Sequence, residues 1–332
     1  MTDIRYDVVG IGNAIVDIIG RCDDAFLAAH GAPKGHMRLV DAETVTRLYD
    51  SMGPATEISG GSAANTLVGV ASFGGAAAFI GKVADDEFGR IFAHDIRAAS
   101  VEFHGTKKNG GAPTARSLIL VTPDGERTMN TFLGISTELD QGEIDAGVIA
   151  SSAIVYLEGY LFDRPEAKAA FRLAAELARK AGRGVALTLS DGFCVDRHRG
   201  EFLDLIRNGV DILFANESEI KSLYETDDFE KAAAQVERDA RLVALTRSAK
   251  GSLILSGGRR VEVPAVPIDK LEDTTGAGDL YAAGFLYGVA HGHDLETSGR
   301  LGSLAAAEVI SHVGARPLQS LQLLARKNGL KI

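Results

Sequence analysis

Seven consecutive residues carry the most specific chemistry in this chain: Asp273-Thr274-Thr275-Gly276-Ala277-Gly278-Asp279. They lie between a Pro/Asp-rich loop and a strongly helical run, Leu280-Tyr281-Ala282-Ala283-Gly284-Phe285-Leu286. The first N–H groups of a helix lack intrahelical partners and attract anions, and glycines let a phosphate come close to the backbone. Asp279 falls in the first helical turn, beside the place such an anion would occupy. The same N–H groups are expected to keep Asp279 ionised, fit to take a proton from an attacking alcohol. A glycine-rich turn before a helix with an ordinary N-terminal acid has the same pattern, so the segment alone leaves both readings open.

A second glycine cluster, Gly60-Gly61-Ser62-Ala63-Ala64-Asn65, also opens a helical run. It offers small residues, a hydroxyl and an amide to a polyhydroxylated ligand. Gly12-Asn13-Ala14-Ile15-Val16-Asp17 adds an amide and a carboxylate suited to vicinal hydroxyls. The plainer alternative is capping by Ser62 and close helix–sheet packing through the glycines. Other phosphate signatures fail. Gly81-Lys82 has Ala76 in place of the first P-loop glycine and Val83 in place of its hydroxyl. Gly10-Ile11-Gly12 follows a strand, but Ile15 occupies the third glycine position of a dinucleotide fingerprint. There is no H-E-x-x-H and no G-x-S-x-G, and the eight histidines are scattered.

The elements that must hold these residues alternate regularly. Apolar runs predict buried strands at 6–11, 77–83, 153–158, 185–189, 210–214 and 242–246, with hairpin strands at 252–255 and 260–263. Helix-period segments lie between and after them, at 63–73, 87–99, 165–181, 201–208, 217–224, 229–240, 276–291 and 295–312. Such alternation predicts an α/β fold with parallel crossover units and a sheet covered on both faces. Two stretches, 13–50 and 101–135, break the rhythm with short polar-alternating pieces, such as 115–121 followed by a Pro123-Asp124-Gly125 turn. They are expected to form a small β-sheet lid inserted in a core made of 1–12, 51–100 and 136–332.

Composition narrows the function classes. Forty-five acidic against 35 basic side chains give a formal charge of −10, which argues against a nucleic-acid or membrane-surface binder. Cys22 and Cys194 cannot make a disulfide framework, and no Cys/His cluster has zinc spacing, so a reducing cytoplasm is expected. The N-terminus lacks a basic-then-apolar signal. Residues 58–81 carry no charge over 24 positions but include six glycines, which favours a buried helix and strand over a membrane span. Glycine itself is in excess, 38 of 332 residues.

Four ordered motifs together resemble the ribokinase-like (pfkB-type) family of carbohydrate and nucleoside kinases, over nearly the whole chain. They are 60–65 running to Gly74-Gly75, Gly81-Lys82-Val83-Ala84-Asp85-Asp86-Glu87-Phe88-Gly89, Asn216-Glu217-Ser218-Glu219, and 273–279. The resemblance implies a mostly parallel central sheet with a small β lid, and transfer of the ATP γ-phosphate to a primary hydroxyl. It makes Asp279 the catalytic base and the N–H groups of Gly276, Ala277 and Gly278 the anion hole, in keeping with a reaction governed by positioning and charge. Asn216 and Glu219 would organise Mg²⁺ and its waters, although outside the family N-x-x-E is a common helix start. Thr246 and Gly251 match a loop that contacts ATP, and Arg127 matches a lid-side arginine that reaches the phosphates. Some members bind a monovalent cation such as K⁺, and Asp273 and Thr275 hold the matching positions.

Within the family, the Asn13-x-x-x-Asp17 spacing is similar to adenosine kinases. By that resemblance Asp17 binds the ribose 2′- and 3′-hydroxyls with Gly61, Ser62 and Asn65, and the 5′-hydroxyl meets Asp279. Met37, Leu39, Leu133 and the Tyr160-Leu161-Phe162 run are the candidate walls for adenine; Leu161 stands where adenosine kinases carry a second aromatic. A sugar kinase for ribose, fructose or a keto-deoxy sugar acid is the alternative. A non-catalytic nucleotide or sugar sensor and an NAD-binding oxidoreductase are more remote. The expected partners are ATP and a small acceptor, in a monomer or a homodimer.

Overall fold

Strand β1 (Tyr6–Ile11) is the pivot of the fold. Its successive side chains, Val8 and Val9, are buried in two different hydrophobic clusters, one on each face of the sheet. A strand buried on both faces reads as a continuous apolar run, which is how it announced itself in the sequence. The computed structural model describes residues 3–108 and 110–332. Met1 and Thr2 of the expected core, and Asn109 of the expected lid, lie outside the described residues.

After β1 come β2 (Ile15–Arg21), α1 (Asp24–Ala29), β3 (Met37–Leu39), α2 (Ala42–Ser51), β4 (Ala55–Gly60), α3 (Ser62–Ser72), β5 (Ala77–Ile80) and β6 (Lys82–Ala84). Next are α4 (Glu87–Ala98), β7 (Val101–Phe103), β8 (Thr106–Lys108), β9 (Ala115–Val121), β10 (Arg127–Phe132), α5 (Ala146–Ala150), β11 (Ser152–Glu158) and α6 (Pro165–Lys180). The chain continues through β12 (Gly184–Thr188), α7 (Gly192–Gly209), β13 (Ile212–Asn216), α8 (Glu217–Leu223), α9 (Phe229–Asp239) and β14 (Leu242–Thr246). It ends with β15 (Ser252–Ser256), β16 (Arg259–Val263), α10 (Ala277–Ala290), α11 (Leu295–Val309) and α12 (Leu321–Lys327).

The main sheet has nine strands in the order β16-β15-β14-β13-β12-β11-β1-β5-β7. It is parallel from β14 to β7, and β15 and β16 add an antiparallel edge. Strand order reverses between β1 and β11, and in open α/β sheets ligands bind outside the carboxyl ends of the strands at such a point. Helices α3, α10 and α11 pack on one face and α6, α7 and α9 on the other.

The second sheet has five strands in the order β3-β10-β9-β2-β4. It departs from the expected lid boundaries in three places. Ala55–Gly60, expected in the core, pairs antiparallel with β2; its polar Thr56 and Glu57 hide any apolar period. Val101–Phe103, expected in the lid, extends the main sheet beside β5, and three residues are too few for a period to show. Two helices, α1 and α2, interrupt the 13–50 stretch, started by caps in which Asp23 accepts from the Phe26 N–H and Asp41 from the Thr44 N–H. Elsewhere the expected 77–83 strand divides at Gly81 into β5 and β6, and the expected 201–208 helix begins at Gly192 behind the Asp191 cap. No helix among the described residues is long and apolar enough to cross a membrane.

Candidate active site

The carboxyl ends of β1, β11, β12, β13 and β14 open onto a cleft of about 630 Å³, roofed by the five-stranded sheet. Asn13, Asp17, Met37, Leu39, Gly61, Ser62, Asn65, Leu133, Asn216, Glu219, Thr246, Thr275, Gly276, Ala277, Gly278 and Asp279 all line it. Three expected site residues do not: Arg127, Gly251 and Asp273 border neither wall. Gly251 has a fold-level task instead. Its φ is +81°, and a Cβ there would lie 2.0 Å from the Val263 carbonyl oxygen, so it lets the β14–β15 turn form with the end of β16 packed against it.

The loop before α10 takes its shape from two glycines with different demands. Gly276, the residue before α10, is left-handed at φ +78°, and a Cβ on it would meet Ala315 Cβ at 2.8 Å. Gly278 has no positive φ, and a Cβ on it would meet nothing within 4 Å. The fold therefore requires glycine at 276. At 278 the missing side chain instead leaves space open in the cleft, at the N-terminus of a 14-residue helix, where N–H groups favour an anion.

Asp279 sits in the first turn of α10, held from α3 across the cleft floor. Ser62 Oγ donates to its Oδ1 at 2.7 Å and Asn65 Nδ2 to its Oδ2 at 3.0 Å. Burial pushes its carboxyl above the usual range, and these two bonds and the Arg316 charge oppose the rise. The sequence expectation was an acid kept ionised by helix N–H groups; burial is the larger effect here. A base with a raised pKa is better matched to abstracting a proton near neutrality. Ser62 and Asn65, expected on the substrate, each donate to Asp279, while Asn65 Oδ1 is buried with no partner among the described residues.

Asn13 is likewise committed within the protein. Its Nδ2 and backbone N–H both donate to Glu158 Oε1, at 2.7 and 3.2 Å, and its Oδ1 accepts from Ser136 Oγ at 2.9 Å. Glu158, at the end of β11, also accepts the Ala63 N–H at 2.8 Å. It lines the cleft, and burial raises it to about 7. Sequence reasoning missed this residue, since a single acid ending an apolar strand gives no local signal. Asp17, on β2, is raised to about 7 by burial, against the lowering influence of Arg316 and Arg127. Gly60 admits it: a Cβ there would lie 2.2 Å from Asp17 Oδ2.

Arg316 is a second omission. Loss of solvation lowers its guanidinium to about 10, and its Nη2 donates to the carbonyl of Ser59 at 2.5 Å and to Ser59 Oγ at 3.0 Å. Asp95 accepts from the Ser59 N–H and Oγ at 2.7 and 2.6 Å. This pins the end of β4 just before Gly60-Gly61.

The apolar side of the cleft comes from both sheets. Met37 and Leu39 project from β3 at 53% and 61% exposure, unusual for large hydrophobics, and Leu133 joins them. Facing them from the core are Tyr160 at 39% and Phe193 at 77% exposure. Leu161 and Phe162 are buried away from the cleft, so the Leu161 departure falls on a core position. Phe193 went unnoticed in the sequence because it precedes the helix expected there.

For a divalent ion the donor set is sparse. Asn216 and Glu219 form a reciprocal cap, with Asn216 Nδ2 donating to Glu219 Oε1 at 2.6 Å and its N–H to Oε2 at 2.9 Å. Burial raises Glu219 to about 7. No cluster of three or more metal-ligating side chains occurs among the described residues. One cleft-lining carboxylate and an amide suit Mg²⁺ that keeps its waters and arrives on the nucleotide phosphates. A monovalent cation fits poorly: both oxygens of Asp273 are engaged, Oδ1 by Thr275 at 3.0 and 2.7 Å and Oδ2 by the Gly314 N–H at 3.1 Å and Arg127 Nη1 at 2.5 Å.

The pfkB family carbohydrate kinase profile matches residues 52–321. A probable sugar kinase protein from Rhizobium etli CFN 42 is 52% identical, with a TM-score of 0.92 covering 99% of this chain and 100% of that one. An adenosine kinase from Sinorhizobium meliloti is 54% identical, with a TM-score of 0.90 covering 98% and 99%. The ATP-dependent ribose-1-phosphate kinase of Halopiger xanaduensis is 30% identical over 298 residues, 88% of this chain and 95% of that protein.

Proposed function

This chain belongs to the pfkB family of carbohydrate kinases, phosphotransferases with an alcohol acceptor, and on that premise we propose that its acceptor is adenosine, phosphorylated by ATP on the 5′-hydroxyl. One observation carries the choice of a nucleoside over a free sugar. Met37, Leu39, Tyr160 and Phe193 expose large apolar surface to the same cleft as Asp17 and Asp279. A heteroaromatic base gains from covering such surface, whereas a free sugar has little apolar area to offer. The likeness to the Sinorhizobium meliloti adenosine kinase supports the same reading.

In this reading Asp17 accepts hydrogen bonds from the vicinal ribose hydroxyls, and the missing side chain at Gly60 leaves room for the Asp17 carboxylate to take that position. Asp279, held by Ser62 and Asn65, takes the proton of the 5′-hydroxyl as the hydroxyl oxygen attacks the γ-phosphorus and the bond to the β,γ-bridging oxygen breaks, releasing ADP. The N–H groups of Gly276, Ala277 and Gly278 face the charge developing on the transferred group. Asn216 and Glu219 would hold Mg²⁺ through its waters, and the ion would supply charge neutralisation to the phosphates. Thr246 borders the nucleotide from the end of β14.

The test is an acceptor panel in a coupled ADP-release assay: adenosine, ribose, fructose and a keto-deoxy sugar acid. Adenosine is expected to exceed each sugar in kcat/KM by about 100-fold or more, because removing the base strips away a whole apolar contact surface. Equal turnover of ribose and adenosine overturns the nucleoside assignment and leaves a sugar kinase.

A further inference from the structure

Asp273 and Thr275 are the positions at which a monovalent cation would sit, and the chain has already brought a positive charge to them. Arg127 Nη1 lies 2.5 Å from Asp273 Oδ2 and 3.5 Å from Thr275 Oγ1. Both partners are enclosed, with side-chain exposures of 9% for Arg127 and 4% for Asp273. A carboxylate has about four lone-pair sites. Thr275 N, Thr275 Oγ1, Gly314 N and Arg127 Nη1 take them all. A cation can enter only by displacing the guanidinium.

We propose that Arg127 is a tethered cation that does permanently, at Asp273, what a bound K⁺ would do. It neutralises the carboxylate directly behind the anion loop, so the N–H groups of 276–278 face their ligand without an opposing bare charge. Arg127 belongs to β10 of the five-stranded sheet, whereas Asp273 precedes α10 of the main body. The charge behind the anion loop is therefore supplied by the roof of the cleft, and the ion pair ties the two units together there. It is a positioning residue in this capacity, because it acts through Asp273 and the loop. The inference rests on the phosphotransferase chemistry and not on which alcohol is the acceptor.

Two readouts test it, one independent of turnover. In calorimetric unfolding without nucleotide, the wild-type protein is expected to melt at the same temperature in about 100 mM KCl, NaCl or choline chloride, at matched ionic strength. Arg127→Ala, with Asp273 left bare, is expected to melt a few degrees higher in KCl than in choline chloride. Arg127→Lys keeps the charge and is expected to stay indifferent to K⁺. In the kinase assay, wild-type kcat should change by less than about twofold between K⁺ and choline, while Arg127→Ala loses activity and regains part of it in K⁺. A wild-type enzyme that gains tenfold or more, or melts higher, in K⁺ overturns the proposal. So does a folded Arg127→Ala variant that ignores K⁺. Should that variant fail to fold, the wild-type and Arg127→Lys responses decide. Failure of the adenosine assignment would appear instead as the wrong acceptor in the panel, whatever the cation.

Discussion

Gly278→Ala puts a methyl group into open space. The added Cβ meets no heavy atom within 4 Å, and the residue lies within α10 at a φ that alanine adopts freely. Alanine is favoured over glycine inside a helix by about 0.8–1 kcal/mol, and by less in a first turn. The unfolding temperature should therefore hold or rise by ~2 °C. Activity should go the other way. The methyl would project into the cleft at the helix N-terminus, where the transferred phosphoryl group must come within hydrogen-bond distance of the N–H groups. Displacing that group from one donor costs about 3–4 kcal/mol, or 10²–10³ in kcat. Coupled ADP release and calorimetry on the same preparation give both quantities. Gly276→Ala is the control, since a left-handed φ and a Cβ only 2.8 Å from Ala315 make it lose about 1–2 kcal/mol of stability together with activity. Full activity in Gly278→Ala would refute the placement of the phosphoryl group. A variant that fails to fold would refute the claim that this glycine serves the ligand and not the chain.

Asp279→Asn should lower kcat by about 100-fold or more while ATP still binds, as judged by calorimetric titration, since general bases contribute 10²–10⁴. The kcat/KM profile should fall as pH drops through the raised Asp279 pKa, because only the carboxylate accepts the proton; in Ser62→Ala, which removes a bond that favours the ionised form, this acid limb should move to higher pH. Phe193→Ala should raise KM for adenosine by about tenfold through lost apolar contact. It should leave the unfolding temperature nearly unchanged, since a side chain 77% exposed contributes little to the folded core; an unchanged KM would remove Phe193 from the base wall.

The alternation of strand and helix was legible because the inner strands of the main sheet are buried on both faces and so read as apolar runs. The five-stranded sheet was legible only as a change of rhythm. Strand β3 has three residues and β4 has no apolar alternation, so neither could be assigned without its partner. Most expected site residues do line one cleft, and several have protein partners that the sequence did not indicate. Asn13 touches Glu158 and Ser136, Ser62 and Asn65 hold Asp279, and Arg127 pairs with Asp273.

What the sequence by itself determined is the local geometry: a glycine-containing loop opening a helix at 273–279, and a reciprocal cap at Asn216 and Glu219. Helix N–H groups and their caps are set by residues within three or four positions, so their geometry is written into the motif. What tertiary structure alone decided is which distant groups meet those motifs. Glu158 reaches Asn13 across 145 positions, and Arg316 reaches Ser59 across 257. Burial, which sets the pKa of Asp279, Asp17 and Glu158, is likewise a property of the packed molecule: it depends on what the folded chain puts between a carboxylate and water.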